Sequence, residues 1–441
     1  MELHSIFRGI AGLAFVVLLA FLFSPDKRSI NWRLVVTGLG LQFLFALLVL
    51  KTTIGRDIFS SISRMFVFLF SFASEGAQFV FGGLAKAAGS GGSLGFFFAF
   101  QVLPTIIFFA SFMGVCYHLG IMQRIVQGMA WIMAKLMKAS GAESLCVAAN
   151  IFIGQTEAPL VIRPYLSSLT QSELLTIMTG GMAHISGGVM AAYMAMLAAA
   201  YAKSQGVAVD MSHQIYFAGH LLAACIMAAP ATIVVAKMLI PEKEEPQTMG
   251  SVKLKIEKLH SNVIEAAASG AGDGVRLALN VAGMLIAFIA LIALLNSILT
   301  YFGAITGLNA LLMGSFGKPL SLELLFGMVF QFVAFAIGAP WSDAMNIGSL
   351  MGIKLVLNEF VAYSRMADIV AVHQLSEKGI IIATYALCGF ANFSSIAIQI
   401  GGISPLAENQ RGNIAKLGLR AVLAGTIATW MTASIAGMFV N

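Results

Sequence analysis

Two glutamates sit at breaks in otherwise apolar runs. Glu157 lies in Gly154-Gln155-Thr156-Glu157-Ala158-Pro159, in the middle of 142–168, and Glu359 lies in Asn358-Glu359-Phe360, within 341–365. A carboxylate at membrane depth costs at least about 2.5–3.5 kcal/mol and is normally kept for pairing, an ion or a ligand. A structural contact closing each turn is the competing use, but the recurrence of one glutamate at each of two similar breaks favours a ligand. Two carboxylates flanking a small cavity suit a molecule rich in hydroxyl or N–H donors, or a cation, and do not suit an anion. Gln155 and Thr156 add an amide and a hydroxyl, which can read a donor/acceptor pattern such as a nucleobase edge. Asn392 and Ser395, three apart in Phe390-Ala391-Asn392-Phe393-Ser394-Ser395, can face one cavity, although a helix–helix hydrogen bond would use them equally well. Phe390 can pack on a flat ligand, but in a chain with 33 Phe its ordinary place is in lipid or core.

Such groups need hydrocarbon-spanning elements around them, and the composition supplies these. Of 441 residues, 59% are from AVILMFWYC and 10% are charged, against roughly a quarter charged in soluble domains. Apolar runs of about 18 residues or more recur along the whole chain, which excludes disorder, collagen and coiled coil and predicts an all-α polytopic membrane protein. Full spans are expected near 6–23, 34–50, 97–117, 174–200, 214–240, 277–302, 378–402 and 416–440, each close to the ~20 residues that cross the hydrocarbon. The first is followed by Pro25-Asp26-Lys27-Arg28 rather than by a small-residue cleavage site, so it reads as a retained span. Eight transmembrane helices put both termini on one side. Placing them on the periplasmic side of an inner membrane leaves 16 of the 26 basic residues inside. The net charge of +6 is then a topology signal rather than a nucleic-acid footprint. Cys116, Cys146, Cys225 and Cys388 lie far apart in apolar segments and indicate neither a disulfide framework nor a zinc site.

The chain divides into scaffold spans and an interfacial segment (1–96), a first repeat (97–240), a cytoplasmic linker with an interfacial helix (241–273), and a second repeat (274–441). The linker is read from Glu242-Lys243-Glu244-Glu245-Pro246 followed by Lys253, Lys255 and Lys258. In the first repeat, 121–138 spaces Arg124, Lys135 and Lys138 as a helix lying in the interface would. The segment 142–168 then offers about eleven helical residues on each side of its break, a rise of ~16 Å or half the membrane, so it reads as a re-entrant hairpin. A span carrying Gly180-Gly181 and Gly187-Gly188 follows. The second repeat has the same order: a short helix at 321–338, a hairpin at 341–365, and a span interrupted at 390–395. One hairpin entering from each side makes an inverted repeat, the architecture of secondary transporters, with Glu157 and Glu359 facing each other near the midplane.

These residues also carry a resemblance. GQTEAPLVIRP at 154–164, NEFVAYS at 358–364 and CGFANFSSIAI at 388–398, together with PWSDA at 340–344 and LALNVAGMLIAFIALIALLN at 277–296, resemble segments of the concentrative nucleoside transporter family in its short bacterial form, over nearly the whole chain. The resemblance implies a homotrimer in which a transport domain of hairpins and broken spans moves against scaffold helices, carrying a nucleoside such as uridine together with a cation. Position by position it places Gln155, Thr156 and Glu157 on the base, with Val189 packing on it, and Glu359, Asn392 and Ser395 on the ribose hydroxyls, with Phe390 as apolar wall. For sodium it implies Asn150 through its side-chain oxygen and Ile153 and Ile185 through backbone carbonyls. His184 departs from the pattern, standing where a Ser or Thr hydroxyl is usual. An imidazole offers Na⁺ no oxygen and titrates near pH 6.5, so either His184 packs elsewhere and water completes the shell, or H⁺ replaces Na⁺. Sodium is the favoured reading.

A carrier for another polar uncharged substrate is the main rival. An enzyme is not expected: GGSLG at 91–95 satisfies GxSxG but lies in a Gly-rich stretch without strand-turn-helix context, and the chain carries no Walker A or HExxH pattern. No organic cofactor is implied.

Overall fold

The computed structural model describes residues 3–86, 92, 94, 97–249 and 261–440. The GGSLG segment lies mostly outside these residues, and Lys253, Lys255 and Lys258 lie wholly outside them. Among the described residues all regular structure is helical. The N-terminal part comprises α1 (Leu3–Leu22), α2 (Trp32–Leu50), α3 (Thr53–Phe81), the single turn α4 (Phe98–Gln101) and α5 (Leu103–His118). The next block holds α6 (Ile121–Met137), α7 (Gly141–Asn150), a 3₁₀ segment (Ala158–Ser168), α8 (Gln171–Ala183), α9 (Gly187–Ser204) and α10 (Met211–Leu239). After it come α11 (Val263–Ile305) and α12 (Leu308–Phe316). The last block holds α13 (Leu322–Ala336), α14 (Trp341–Val356), α15 (Glu359–Ala371), α16 (Glu377–Leu387), α17 (Phe393–Ile403) and α18 (Arg411–Phe439).

The two blocks repeat one order: a leading helix, a hairpin, a helix broken in its middle and a long closing helix. α10 and α18, the closing helices, run through the buried centre, while α11 leaves most of its apolar side chains exposed.

Eight helices among the described residues are long and apolar enough to cross a membrane. The set differs from the expected one. Gly55–Ala85 belongs to it, although Arg56, Asp57, Arg64 and Glu75 interrupt its apolar pattern. The expected span 378–402 is instead two short helices, α16 and α17, separated by an extended break. The expected interfacial helix of the linker is not a separate element, because α11 runs unbroken for 43 residues. Gly270 and Gly274 serve contact: a Cβ on either would come within 3.0 Å of the α5 backbone at Ile107, Ala110 or Ser111. Small residues let two membrane helices approach this closely. The second arm of the first hairpin is a 3₁₀ segment rather than eleven α-helical residues, since Pro159 opens it and Pro164 lies inside it.

Each hairpin is pinned at its base to the broken helix that follows. In the first block, Ser140 and Glu143 form a capping box at the start of α7, Thr170 and Glu173 form another at the start of α8, and Ser140 Oγ donates to Glu173 at 2.6 Å. In the last block, Asp343 in the first turn of α14 accepts from the N–H (3.2 Å) and hydroxyl (2.5 Å) of Ser376, the N-cap of α16. Lys237 on α10 bridges Glu143 at 2.9 Å and Glu242 at 3.0 Å. Lys237→Met would leave the buried Glu143 without its cation, a loss of about 3–5 kcal/mol for a broken buried pair. The expected outcome is a thermal midpoint lowered by many degrees in detergent, with no change in substrate preference of the folded fraction.

Candidate functional site

α7 ends at Asn150, and the chain turns through Ile151–Glu157 before the prolines start the 3₁₀ arm. Gln155 sits at this tip, 8% exposed. Its Oε1 accepts from Gln399 Nε2 at 3.2 Å and its Nε2 donates to Ser395 Oγ at 3.1 Å, so the tip is tied to α17. Thr156 packs its methyl on the same helix, where a Cβ on Gly402 would lie 2.5 Å away.

The second tip is built by an N-cap. Asn358 Oδ1 accepts from Val361 N–H at 2.9 Å, which starts α15 and fixes Glu359 as its first residue. The Glu359 carboxylate is 6% exposed. One oxygen accepts from the Tyr193 hydroxyl at 3.1 Å and the other from Asn392 Nδ2 at 2.9 Å. Asn392 is itself the N-cap of α17, its Oδ1 taking the N–H of Ser395 at 2.9 Å and the hydroxyl of Ser394 at 2.7 Å. Glu359 is therefore held from α9 on one side and from the α16–α17 break on the other.

The two breaks lie back to back. Gly389 has φ +152°, and a Cβ there would stand 2.7 Å from the Met182 carbonyl oxygen at the end of α8. Only glycine meets both conditions. As a result, the helix N-termini of α9, α15 and α17 all open on one cavity.

That cavity measures 1370 Å³ and is lined by all eight residues expected to bind substrate: Gln155, Thr156, Glu157, Val189, Glu359, Phe390, Asn392 and Ser395. It is not the small cavity expected between two matched acids. It extends to α11, which contributes Asp273, Arg276 and Asn280 to its wall. The two glutamates also differ in setting, Glu359 being buried and doubly bonded while Glu157 is exposed to the cavity and its carboxylate makes no hydrogen bond among the described residues. Tyr193, which orients Glu359, and Gln399, which touches Gln155, were not anticipated. Their signal was position: each lies four residues beyond an expected site residue, Val189 and Ser395, on the same helix.

Of the residues expected around a cation, Ile153 lines the cavity, whereas Asn150, His184 and Ile185 are buried to 1% exposure. Asn150 is the last residue of α7 and Ile185 follows the end of α8, two helix C-termini whose free carbonyls carry partial negative charge. Asn150 donates from Nδ2 to Cys146 O at 3.0 Å, leaving Oδ1 buried with no partner. A neutral buried oxygen awaiting an electropositive partner suits a hard monovalent cation such as Na⁺. Nδ1 of His184 donates to the Gly180 carbonyl at 2.7 Å, the packed arrangement compatible with sodium.

Three family models cover most of the chain: Na+ dependent nucleoside transporter N-terminus over 11–84, Nucleoside recognition over 99–200, and Na+ dependent nucleoside transporter C-terminus over 220–437. The chain is 45% identical to an uncharacterized transporter, YutK, of Bacillus subtilis, over 98% of this chain and 99% of that one. It is 39% identical to the nucleoside permease NupC of Helicobacter pylori over 100% and 99% of the two chains. With mouse solute carrier family 28 member 3 it shares 40% identity over 97% of its length, matching 58% of that longer protein. A solved structure of CNTnw in an inward-facing substrate-bound state superposes with a TM-score of 0.85 at 40% identity, covering 99% of this chain and 98% of that one. By fold and by sequence, the chain belongs to the concentrative nucleoside transporter family.

Proposed function

We propose that this transporter imports nucleosides such as uridine by symport with Na⁺ across the inner membrane. The observation that carries the reading is convergence: the polar groups of both hairpin tips and of the α16–α17 break meet in one cavity around a buried carboxylate. An ionised Glu359 accepts bonds from vicinal ribose hydroxyls, Asn392 and Ser395 stand beside it, and Gln155, Thr156 and Glu157 face the base, with Val189 and Phe390 as apolar wall. The hairpins enter from opposite sides as an inverted repeat, with both termini periplasmic. The hairpins and broken helices move as one body against α5 and α11 within a homotrimer, in an elevator-like cycle.

Sodium is favoured over protons because the Asn150 side-chain oxygen, at the C-terminus of α7, is buried without a partner among the described residues and His184 is already bonded to Gly180. The test is uridine uptake into proteoliposomes under a sodium-only or a proton-only gradient. Uptake is expected with sodium alone, and Asn150→Ala should raise the sodium concentration for half-maximal uptake by about tenfold or more, the loss expected from one hydrogen-bond-scale contact to a charge. Uptake driven by protons alone, with Asn150→Ala unchanged, would assign the coupling to H⁺. No uridine uptake under either gradient would overturn the reading.

A further inference from the structure

Gln399 lies behind the site rather than in it. It is fully buried, does not line the cavity, and was absent from the expected binding residues. We propose that Gln399 sets the orientation of the Gln155 amide and so makes Gln155 a hydrogen-bond donor to the base; this rests on the nucleoside reading above.

The Met178 carbonyl oxygen in α8 can only accept, and Gln399 lies 2.8 Å from it, so the Gln399 NH₂ must face Met178. The same NH₂ reaches Gln155 at 3.2 Å, so Gln155 must turn its oxygen toward Gln399. Amide ends are otherwise interchangeable in shape, and here the carbonyl resolves both. The Gln155 NH₂ is thereby directed to the other side, where it donates one hydrogen to Ser395 Oγ at 3.1 Å. Ser395 lines the cavity and Gln399 does not. The nitrogen end of Gln155 therefore faces the ligand with one N–H still unused, and the base edge it meets must offer an acceptor, a carbonyl oxygen or an unprotonated ring nitrogen.

Space for this relay is cut by Gly181, where a Cβ would lie 2.7 Å from both Gln155 Cβ and Gln399 Nε2. The relay also joins the two blocks, since Met178 and Gln155 belong to the first and Gln399 and Ser395 to the last. Gln399 is a positioning residue, acting on the ligand only through Gln155.

The experiment is equilibrium binding of uridine to purified protein in sodium buffer, for wild type, Gln399→Met, Gln155→Ala and the double variant. Gln399→Met is expected to weaken binding about tenfold, the scale of one lost hydrogen bond, but by less than about twofold when Gln155 is already alanine. An equal loss on both backgrounds, or no loss, overturns the positioning role. Gln399→Asn, which can keep a donor near Met178 but withdraws it from Gln155, carries the same expectation if the methionine variant does not fold. Gln155→Glu tests the donor assignment: Gln399 and Ser395 can both donate to a carboxylate, so the relay keeps its bonds while the N–H toward the ligand is replaced by a charged acceptor, and binding should fall at least as far as in Gln155→Ala. Wild-type affinity in Gln155→Glu would overturn it. Failure of wild type to bind any nucleoside would instead sink the functional reading beneath it.

Discussion

Glu359→Gln is expected to lose about a hundredfold in uridine uptake while the protein still folds. The fold survives because glutamine satisfies both neighbours. Its oxygen can take the Asn392 Nδ2 bond and its NH₂ can donate to the Tyr193 hydroxyl, which is able to accept. Asn392 need not turn, so its cap on α17 stays in place. What the variant lacks is the negative charge. Hydrogen bonds to a charged group are worth about 1.5–3 kcal/mol against about 0.5–1.5 for neutral ones, and exchanging two such bonds to ribose hydroxyls accounts for the loss. Measured beside uptake, elution volume and thermal midpoint should match wild type within a few degrees. Uptake near the wild-type level would remove Glu359 from the site.

Gln155→Ala should weaken uridine binding about ten- to thirtyfold, and it should do so unevenly among substrates. The truncation takes away the donor to Ser395 and the acceptor for Gln399, leaving Gln399 bonded only to Met178. The bonds among Glu359, Asn392 and Tyr193 do not involve it. Affinity is thus lost chiefly on the base side, with Ser395 losing one neighbour, and uridine, cytidine and adenosine should bind with more nearly equal constants than they do to wild type. Competition assays against labelled uridine give these ratios directly. An unchanged ranking with unchanged spacing would mean that Gln155 does not read the base.

Much of this site was legible because membrane chains keep polar side chains sparingly. Glu157, Glu359, Asn392 and the Gln155-Thr156 pair stood out against an apolar background, and all of them line the cavity. What stayed hidden depends on which face of a helix turns inward. Tyr193 and Gln399 are polar groups flanked on both sides by apolar residues, and Lys354 is another: it is buried, with Nζ donating to Ala386 O at 3.0 Å and Thr429 Oγ1 at 3.3 Å. One sequence cannot distinguish these from lipid-edge residues that snorkel. The capping boxes Ser140-x-x-Glu143 and Thr170-x-x-Glu173 had a readable spacing, yet their mutual bond at the hairpin base is a tertiary fact. Close helix contacts at glycine are likewise tertiary: Gly270 and Gly274 of α11 meet the α5 backbone, and Gly389 meets the end of α8. The charged residues of α3 concealed a helix long enough to cross, and the prolines at 159 and 164 turned an expected α-helical arm into a 3₁₀ one.

The central claim is that elements from both blocks share one ligand cavity. Leu160 lies just past the first tip and Ile398 on α17; both line the cavity and are exposed to it. The native cysteines are all buried and offer little background to a membrane-impermeant maleimide. Each position, changed singly to cysteine, should label with that reagent, and uridine together with sodium should slow labelling at both to a similar extent and over the same uridine concentration range. Protection at one position only, or at neither, would contradict a shared cavity.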